Sequence, residues 1–234
     1  MDKQEIDKLN QEFSYLTPQD LIQFFLQKYK NRIALASNLG AEDQILTQMV
    51  SSLDQTAIIF TLDTHKLFNE SYRVIEKTNK KYNIQIKLIA PEQKDIDNAF
   101  EGRPFTSIYD SIENRKKCCN ARKVIPLKKF LGTVDAWITG LRKEQSVTRT
   151  NMQLIEWDEE FNILKINPLI NWTEKQVWQY IKDYDVPYNE LHDKGYPSIG
   201  CQPCTRAVEP GEDVRAGRWW WENPEYRECG LHKK

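Results

Sequence analysis

TAIIFTL at 56–62 is a short, continuous apolar run rich in β-branched side chains, the kind that fills a strand buried on both faces. Upstream, IALAS at 33–37 reads as a second such strand. Downstream, 84–89 and DAWIT at 135–139 read as two more. Between the strands the apolar spacing changes to a helical period, which predicts helices over 42–51 and 67–82. A helix also precedes the first strand: in TPQDLIQFFLQKYK at 17–30, Thr17 is a suitable N-cap and Pro18 a suitable first helical residue. Past Pro168, a helix is expected over 172–184 with Thr173 as its cap. Strand and helix in alternation predict an α/β fold with a doubly wound, mostly parallel sheet. From Tyr188 onward turn residues dominate, so the C-terminal segment is expected to be irregular.

In such sheets ligands bind beyond the carboxyl ends of the strands, which directs attention to the loops at 37–43, 62–66 and 140–149. The 234 residues suit a single domain, with a core over about 15–190 and a C-terminal segment over about 191–234. Lys and Arg number 33 against 34 Asp and Glu, a net charge of −1, so no global basic field argues for nucleic acid. No apolar run approaches a membrane span, and MDKQEIDKLNQEF at 1–13 lacks the apolar stretch of a leader. A cytoplasmic protein without a membrane partner is the expectation, and homo-oligomerisation is left open.

Of the five cysteines, Cys118 and Cys119 are adjacent, Cys201 and Cys204 form a C-x-x-C pair, and Cys229 stands alone. In a reducing compartment they are expected to be metal ligands or catalytic thiols rather than disulfides. Adjacent thiolates fit poorly around one tetrahedral zinc, and no histidine stands at ligand spacing. An all-thiolate set favours a four-iron cluster over a four-cysteine zinc site or a bare dithiol.

CCNARK at 118–123, SIGCQPCTR at 198–206, GRWWWE at 217–222 and ECGLH at 228–232 resemble the assimilatory adenylyl sulfate reductases of bacteria and plants. SNLGAEDQ at 37–44, LDT at 62–64 and TGLRKEQSVTRT at 139–150 extend the resemblance to about residues 15–232. It implies an adenine nucleotide alpha-hydrolase-like fold and one [4Fe-4S] cluster on Cys118, Cys119, Cys201 and Cys204. The implied reaction turns adenylyl sulfate into sulfite and AMP through an S-sulfonate on Cys229, with thioredoxin as electron donor. Lys123, Arg215 and Arg218 are implied at the phosphosulfate, with Arg149 also in the pocket. Ser37, Asn38, Gly40 and Gly140 belong to the implied anion loops, and Leu62, Asp63 and Thr64 to the adenosine pocket. The loop here reads Ser37-Asn38-Leu39-Gly40-Ala41, where many relatives have a tighter Ser-Gly-Gly or Ser-Gly-Ala. Three other readings compete: a phosphoadenylyl sulfate reductase or dual-substrate enzyme, an ATP-dependent sulfur-transferase, and a binding module built on a four-cysteine zinc site.

Overall fold

The computed structural model describes residues 3–145 and 149–223. They form two compact units drawn from interleaved stretches of chain. One takes the described chain up to Thr61 together with Ser71–Lys87 and Leu131–Asn189; the other takes Leu62–Glu70, Leu88–Phe130 and the chain from Glu190.

The expected α/β sheet is present. Strands β1 (Ile33–Ala36), β2 (Ile58–Leu62), β3 (Lys87–Ile89), β4 (Ala136–Ile138), β5 (Ile155–Asp158) and β6 (Ile163–Ile166) lie in the order β3-β2-β1-β4-β6-β5. β1 runs parallel to both β2 and β4, with Leu35 opposite Ile59 on one side and Ile138 on the other. β4 and β6 are parallel and wholly buried, while β5 returns antiparallel to β6.

Four predicted helices stand where the pattern put them: α2 (Pro18–Tyr29), α3 (Ala41–Leu53), α4 (Asn69–Tyr82) and α8 (Glu174–Asp183). In α2, Thr17 accepts the Asp20 N–H and Pro18 opens the first turn. Its Leu21, Ile22, Phe25 and Leu26 form one buried stripe. The helix stops at Lys30: its N–H closes the last turn on the Leu26 carbonyl, and its φ of 47° turns the following chain out of the helix. That stripe meets Ile45, Leu46 and Met49 of α3 and Ile138 and Ile166 of the sheet in one core cluster. Each fully buried large side chain there stabilises by roughly 1.5–3 kcal/mol.

Elsewhere the chain departs from the simple pattern. β3 covers only the end of the apolar run at 84–89, because Ile84 and Ile86 give their N–H groups to Asn79 at the end of α4. β5 and β6 escape an apolar reading because they carry Glu156, Asp158 and Lys165. Lys165 is buried nonetheless: its ammonium lies 3.4 Å from Glu156 and 5.9 Å above the Trp137 ring. Helices α1 (Lys3–Phe13), α5 (Gln93–Phe100), α6 (Ile112–Cys119) and α7 (Ile125–Leu131) complete the set, with one turn of π-helix at Asn120–Val124 joining α6 to α7. After α8 the described residues hold only short 3-10 turns and an isolated bridge between Thr205 and Arg218. This is the irregular segment the turn residues predict. No described helix is long and apolar enough to cross a membrane.

The Thr173 cap of α8 is a complete capping box: its hydroxyl accepts the Gln176 N–H, and the Gln176 side chain accepts the Thr173 N–H. Thr173→Ala removes the hydroxyl half and is expected to cost about 1 kcal/mol. Urea denaturation should show a lower midpoint at unchanged slope; an unmoved midpoint contradicts the cap.

Candidate functional site

Each unit carries part of the expected chemistry. In the first, β1 ends at Ala36 and Ser37 continues its ladder by donating to the Phe60 carbonyl at 2.8 Å. The chain then folds back on itself. Leu39 adopts a φ of 66° and gives its N–H to the Ser37 hydroxyl, and the Gly40 N–H goes to the Asn38 side chain at 2.8 Å. A leucine in the left-handed region is uncommon, and such conformations concentrate at binding sites. Gly40 then serves as N-cap of α3 without a capping side chain.

Asp43, in the first turn of α3, is buried and accepts the Asn38 N–H at 2.8 Å. Gly140, from the loop that follows β4, packs against the same carboxylate, and its backbone amide favours the ionised form. Gly140 is needed there, since a Cβ would stand 2.1 Å from an Asp43 oxygen. Desolvation pushes the Asp43 carboxyl up to about 7, against the pull of the Asn38 and Gly140 amides and of Arg149; Glu42 adds to the rise.

The cations of this unit are already engaged. Arg142 bonds Glu42 at 2.7 Å and Glu144 at 3.2 Å, and it also reaches the Trp172 carbonyl. Arg149 bonds the Gln145 side chain. Below them Thr139 donates to Asn167 at 2.6 Å, and Asn167 in turn holds the Gln153 carbonyl and Glu156. Ser37, Asn38, Gly40, Gly140 and Arg149 therefore lie in the neighbouring loops that follow β1 and β4.

In the second unit, Asp63 donates its N–H to the Ile89 carbonyl and accepts the His65 N–H in a tight turn. The turn presents the Thr64 hydroxyl 3.2 Å from the Cys201 sulfur, while the Thr64 carbonyl accepts from Arg122. The two cysteine pairs, distant in sequence, line one small cavity of about 20 Å³ with Lys66, Arg115, Arg122, Lys123 and Trp219. One pair ends α6, and the π turn that follows carries Arg122 and Lys123. π turns in helices are frequent at functional sites.

Burial raises the Cys118 thiol above its usual range, against the pull of Arg122, and raises Cys204 to about 12, aided by Cys201 and Cys119. Arg115 and Glu222, with side chains 1% and 2% exposed, form a two-pronged pair at 2.8 and 2.6 Å. The Arg115 guanidinium also sits 4.8 Å from the Trp219 ring centre. Arg218 covers the same ring at 4.6 Å and presses on Gly200, where a Cβ would meet its guanidinium at 2.3 Å.

Of the sequence-derived residues, Lys123 lines the cavity, whereas Arg215 and Arg218 are not among its walls. Cys229 and His232 lie outside the described residues. Asp43 and Glu222, although inside the runs 37–44 and 217–222, and Lys66 and Arg115 outside any, were not singled out, because a charge reads as solvated until its partner is known.

The expectation of a [4Fe-4S] cluster, and with it the metal-binding and iron–sulfur reading, is corrected. Among the described residues no group of three or more His, Cys, Asp or Glu is arranged to hold a metal ion. The four thiols do line one space, of about 20 Å³ with room for a water molecule or two, but they are not gathered into a ligand group.

Comparison with known proteins follows from this geometry. The family model described as "phosphoadenosine phosphosulfate reductase domain" matches residues 32–207. The chain is 49% identical over 202 residues to adenosine 5'-phosphosulfate reductase of Allochromatium vinosum, covering 86% of this chain and 79% of that protein. Among solved structures, phosphoadenylyl-sulfate reductase from Candida auris in a phosphate complex is similar with a TM-score of 0.74 and 28% identity, over 89% of this chain and 98% of that one. FMN adenylyltransferase of Candida glabrata, at 16% identity and a TM-score of 0.57, shares the fold alone; the match covers 100% of this chain and 78% of that one.

Arg115→Ala should leave the Glu222 carboxylate buried without its cation. A loss of about 3–5 kcal/mol is expected in urea denaturation. Lys194→Ala, which breaks an exposed pair with Glu70, serves as the contrast and should cost less than about 1 kcal/mol. Equal effects would show that the Arg115 pair carries no special share of the stability.

Proposed function

We propose that this chain, which belongs to the phosphoadenosine phosphosulfate reductase domain family, reduces adenylyl sulfate to sulfite and AMP in the cytoplasm. Family membership makes it an oxidoreductase of the adenylyl or phosphoadenylyl sulfate reductase type. The observation that carries the choice of adenylyl sulfate is the likeness, over most of the chain, to the Allochromatium vinosum enzyme.

The reaction divides into two displacements. The Cys229 thiolate attacks the sulfuryl sulfur; the bond from sulfur to the phosphate oxygen breaks, and AMP leaves with the electron pair. Cys229 then carries an S-sulfonate. A thiolate of reduced thioredoxin attacks the Cys229 sulfur and expels sulfite, and the second thioredoxin thiol frees Cys229 as the thioredoxin disulfide closes. A phosphate leaving group makes the sulfur electrophilic, and the thiolate is the strong nucleophile among protein side chains. The four buried cysteines take no step in this sequence.

The binding roles follow residue by residue from the family motifs. Ser37, Asn38 and Gly40 lie in a loop that opens a helix, where backbone N–H groups and the helix dipole favour a phosphate. Gly140 and Arg149 serve the same anion, and Leu62, Asp63 and Thr64 the adenosine. Lys123, Arg215 and Arg218 receive the charge of the sulfuryl oxygens. Lys123 has support in its setting, beside Arg122 on the π turn that follows the cysteine pair and near Lys66, where positive charge is concentrated. A second reading, reduction of phosphoadenylyl sulfate, is favoured by the likeness to the Candida auris enzyme. Parallel sulfite-release assays on the two nucleotides decide between them.

Mixed with adenylyl sulfate and no reductant, the wild-type protein should release one equivalent of AMP and gain the mass of one sulfonate on the Cys229 peptide; reduced thioredoxin should discharge it as sulfite. Cys229→Ser should bind nucleotide and form no adduct. Near-normal turnover by that variant would falsify the covalent route. Lys123→Ala should lower kcat/KM by about one to two decades, the worth of one charge-assisted hydrogen bond to an oxyanion. An unchanged kcat/KM removes Lys123 from the reaction.

A further inference from the structure

Asp43 is a buried titratable group that the proposed reaction leaves without a task. It is 3% exposed and sits in the first turn of α3. Its carboxylate takes the Asn38 N–H from the loop after β1 and packs against the Gly140 backbone of the loop after β4. One side chain thus joins two loops that leave neighbouring parallel strands. The close approach of Gly140 leaves no room for the carboxylate to shift toward that loop.

The charged groups that face Asp43 are few. Glu42 lies beside it on α3, itself bound to Arg142, and Arg149 comes from the loop after β4. The β1 loop offers amides and hydroxyls only. The Asn38 amide that Asp43 holds, and the Gly140 backbone packed beside it, belong to loops assigned above to the nucleotide phosphate. A carboxylate and an arriving phosphate therefore compete for the same donor, and their like charges repel. A proton on the carboxyl removes the repulsion and converts one of its oxygens from acceptor to donor, which releases an amide for the phosphate.

We propose that Asp43 is a positioning residue that sets the spacing of these two loops and takes up one proton from solvent as the anionic nucleotide binds between them. The inference rests on the reading that the 37–43 loop receives the nucleotide phosphate. The direction of the pH effect follows. With the carboxyl of the free protein already near 7, a bound anion raises it further. Affinity is then independent of pH below that value and falls, by up to about tenfold per pH unit, as pH rises between the free and bound values.

Adenylyl sulfate is a suitable probe, because its phosphate is bonded on both sides and does not titrate near neutrality. Cys229→Ser protein prevents turnover and removes that thiol from the proton count. Calorimetric titration slightly above neutral pH, in two buffers of different ionisation heat, reads the protons exchanged. A net uptake approaching one proton, with affinity falling as pH rises, is the expected result. Adding Asp43→Asn, a permanently neutral isostere of the protonated carboxyl, should abolish the uptake, flatten the pH dependence and keep binding above neutrality near its low-pH strength. Gly140→Ala, which crowds the carboxylate without removing it, should weaken binding and keep the uptake. Binding without proton uptake, or uptake that persists in the Asp43→Asn variant, overturns the inference. Should that variant not fold, the uptake and pH slope of the Cys229→Ser protein decide alone. Failure of adenylyl sulfate to bind at any pH sinks instead the reading of the site on which the inference stands.

Discussion

The pairing of β1 with β4 is the constraint on which the first unit depends. Ile33, Ala34 and Leu35 stand opposite Ala136, Trp137 and Ile138 in parallel register. Nothing in the sequence places these segments near each other. Once paired, both strands end at the same edge, so the loops after them emerge as neighbours. The Arg32 carbonyl extends the ladder by accepting the Asp135 N–H, and the two side chains pair outside it. A slip of one residue would turn every side chain of β4 to the other face. It would also part Asp43 from Gly140. The fit of a carboxylate against a bare Cα is possible only at one register, which makes the loop contact a sensitive reporter of the sheet.

The second unit is organised by desolvated charge. Its cluster of Phe100, Ile108, Trp219 and the four cysteines is apolar, yet Arg115, Arg122, Arg218 and Glu222 are buried around it. Such groups are tolerated because each is answered: Arg115 by Glu222, Arg122 by the Thr64 carbonyl, Arg218 by the Ile199 carbonyl and the Trp219 face. Guanidinium suits this role, being planar, weakly hydrated and able to stack while it donates. The outcome is a cationic wall around the thiols. At Cys118 and Cys204 positive charge draws the thiol toward ionisation and burial draws it back, and burial prevails.

How far the sequence could be read depended on where its charges went. Apolar runs and caps spoke plainly: β1, β2 and β4, the Thr17 and Thr173 caps and the helices between them were all legible. So was the convergence of four cysteines on one place. The size of the space between them was not, because packing around a thiol leaves no mark in spacing. The β5–β6 hairpin was missed because Glu156 and Lys165 looked like surface residues, although each answers the other inside the fold. Asp43 and Arg115 were missed for the same reason. Neighbours in sequence predict exposure for an isolated charge, and only the tertiary partner reverses it. For Cys229 the order is inverted: its motif is legible, and its surroundings lie outside the described residues.

The interleaving of the two units has a kinetic consequence. The first unit is assembled from three separate stretches, the last ending at Asn189, and the second resumes only after it. On the ribosome, β1 emerges early but meets β4 only when about a hundred further residues have been made, since Arg32 and Asp135 are 103 apart in sequence. Closing so long a loop carries an entropic cost on the order of 4 kcal/mol before any strand contact repays it. Long-range parallel pairing of this kind folds slowly. The nascent chain therefore waits with the apolar edge of β1 unmatched, and protection of that edge during synthesis is a requirement that the finished molecule no longer displays.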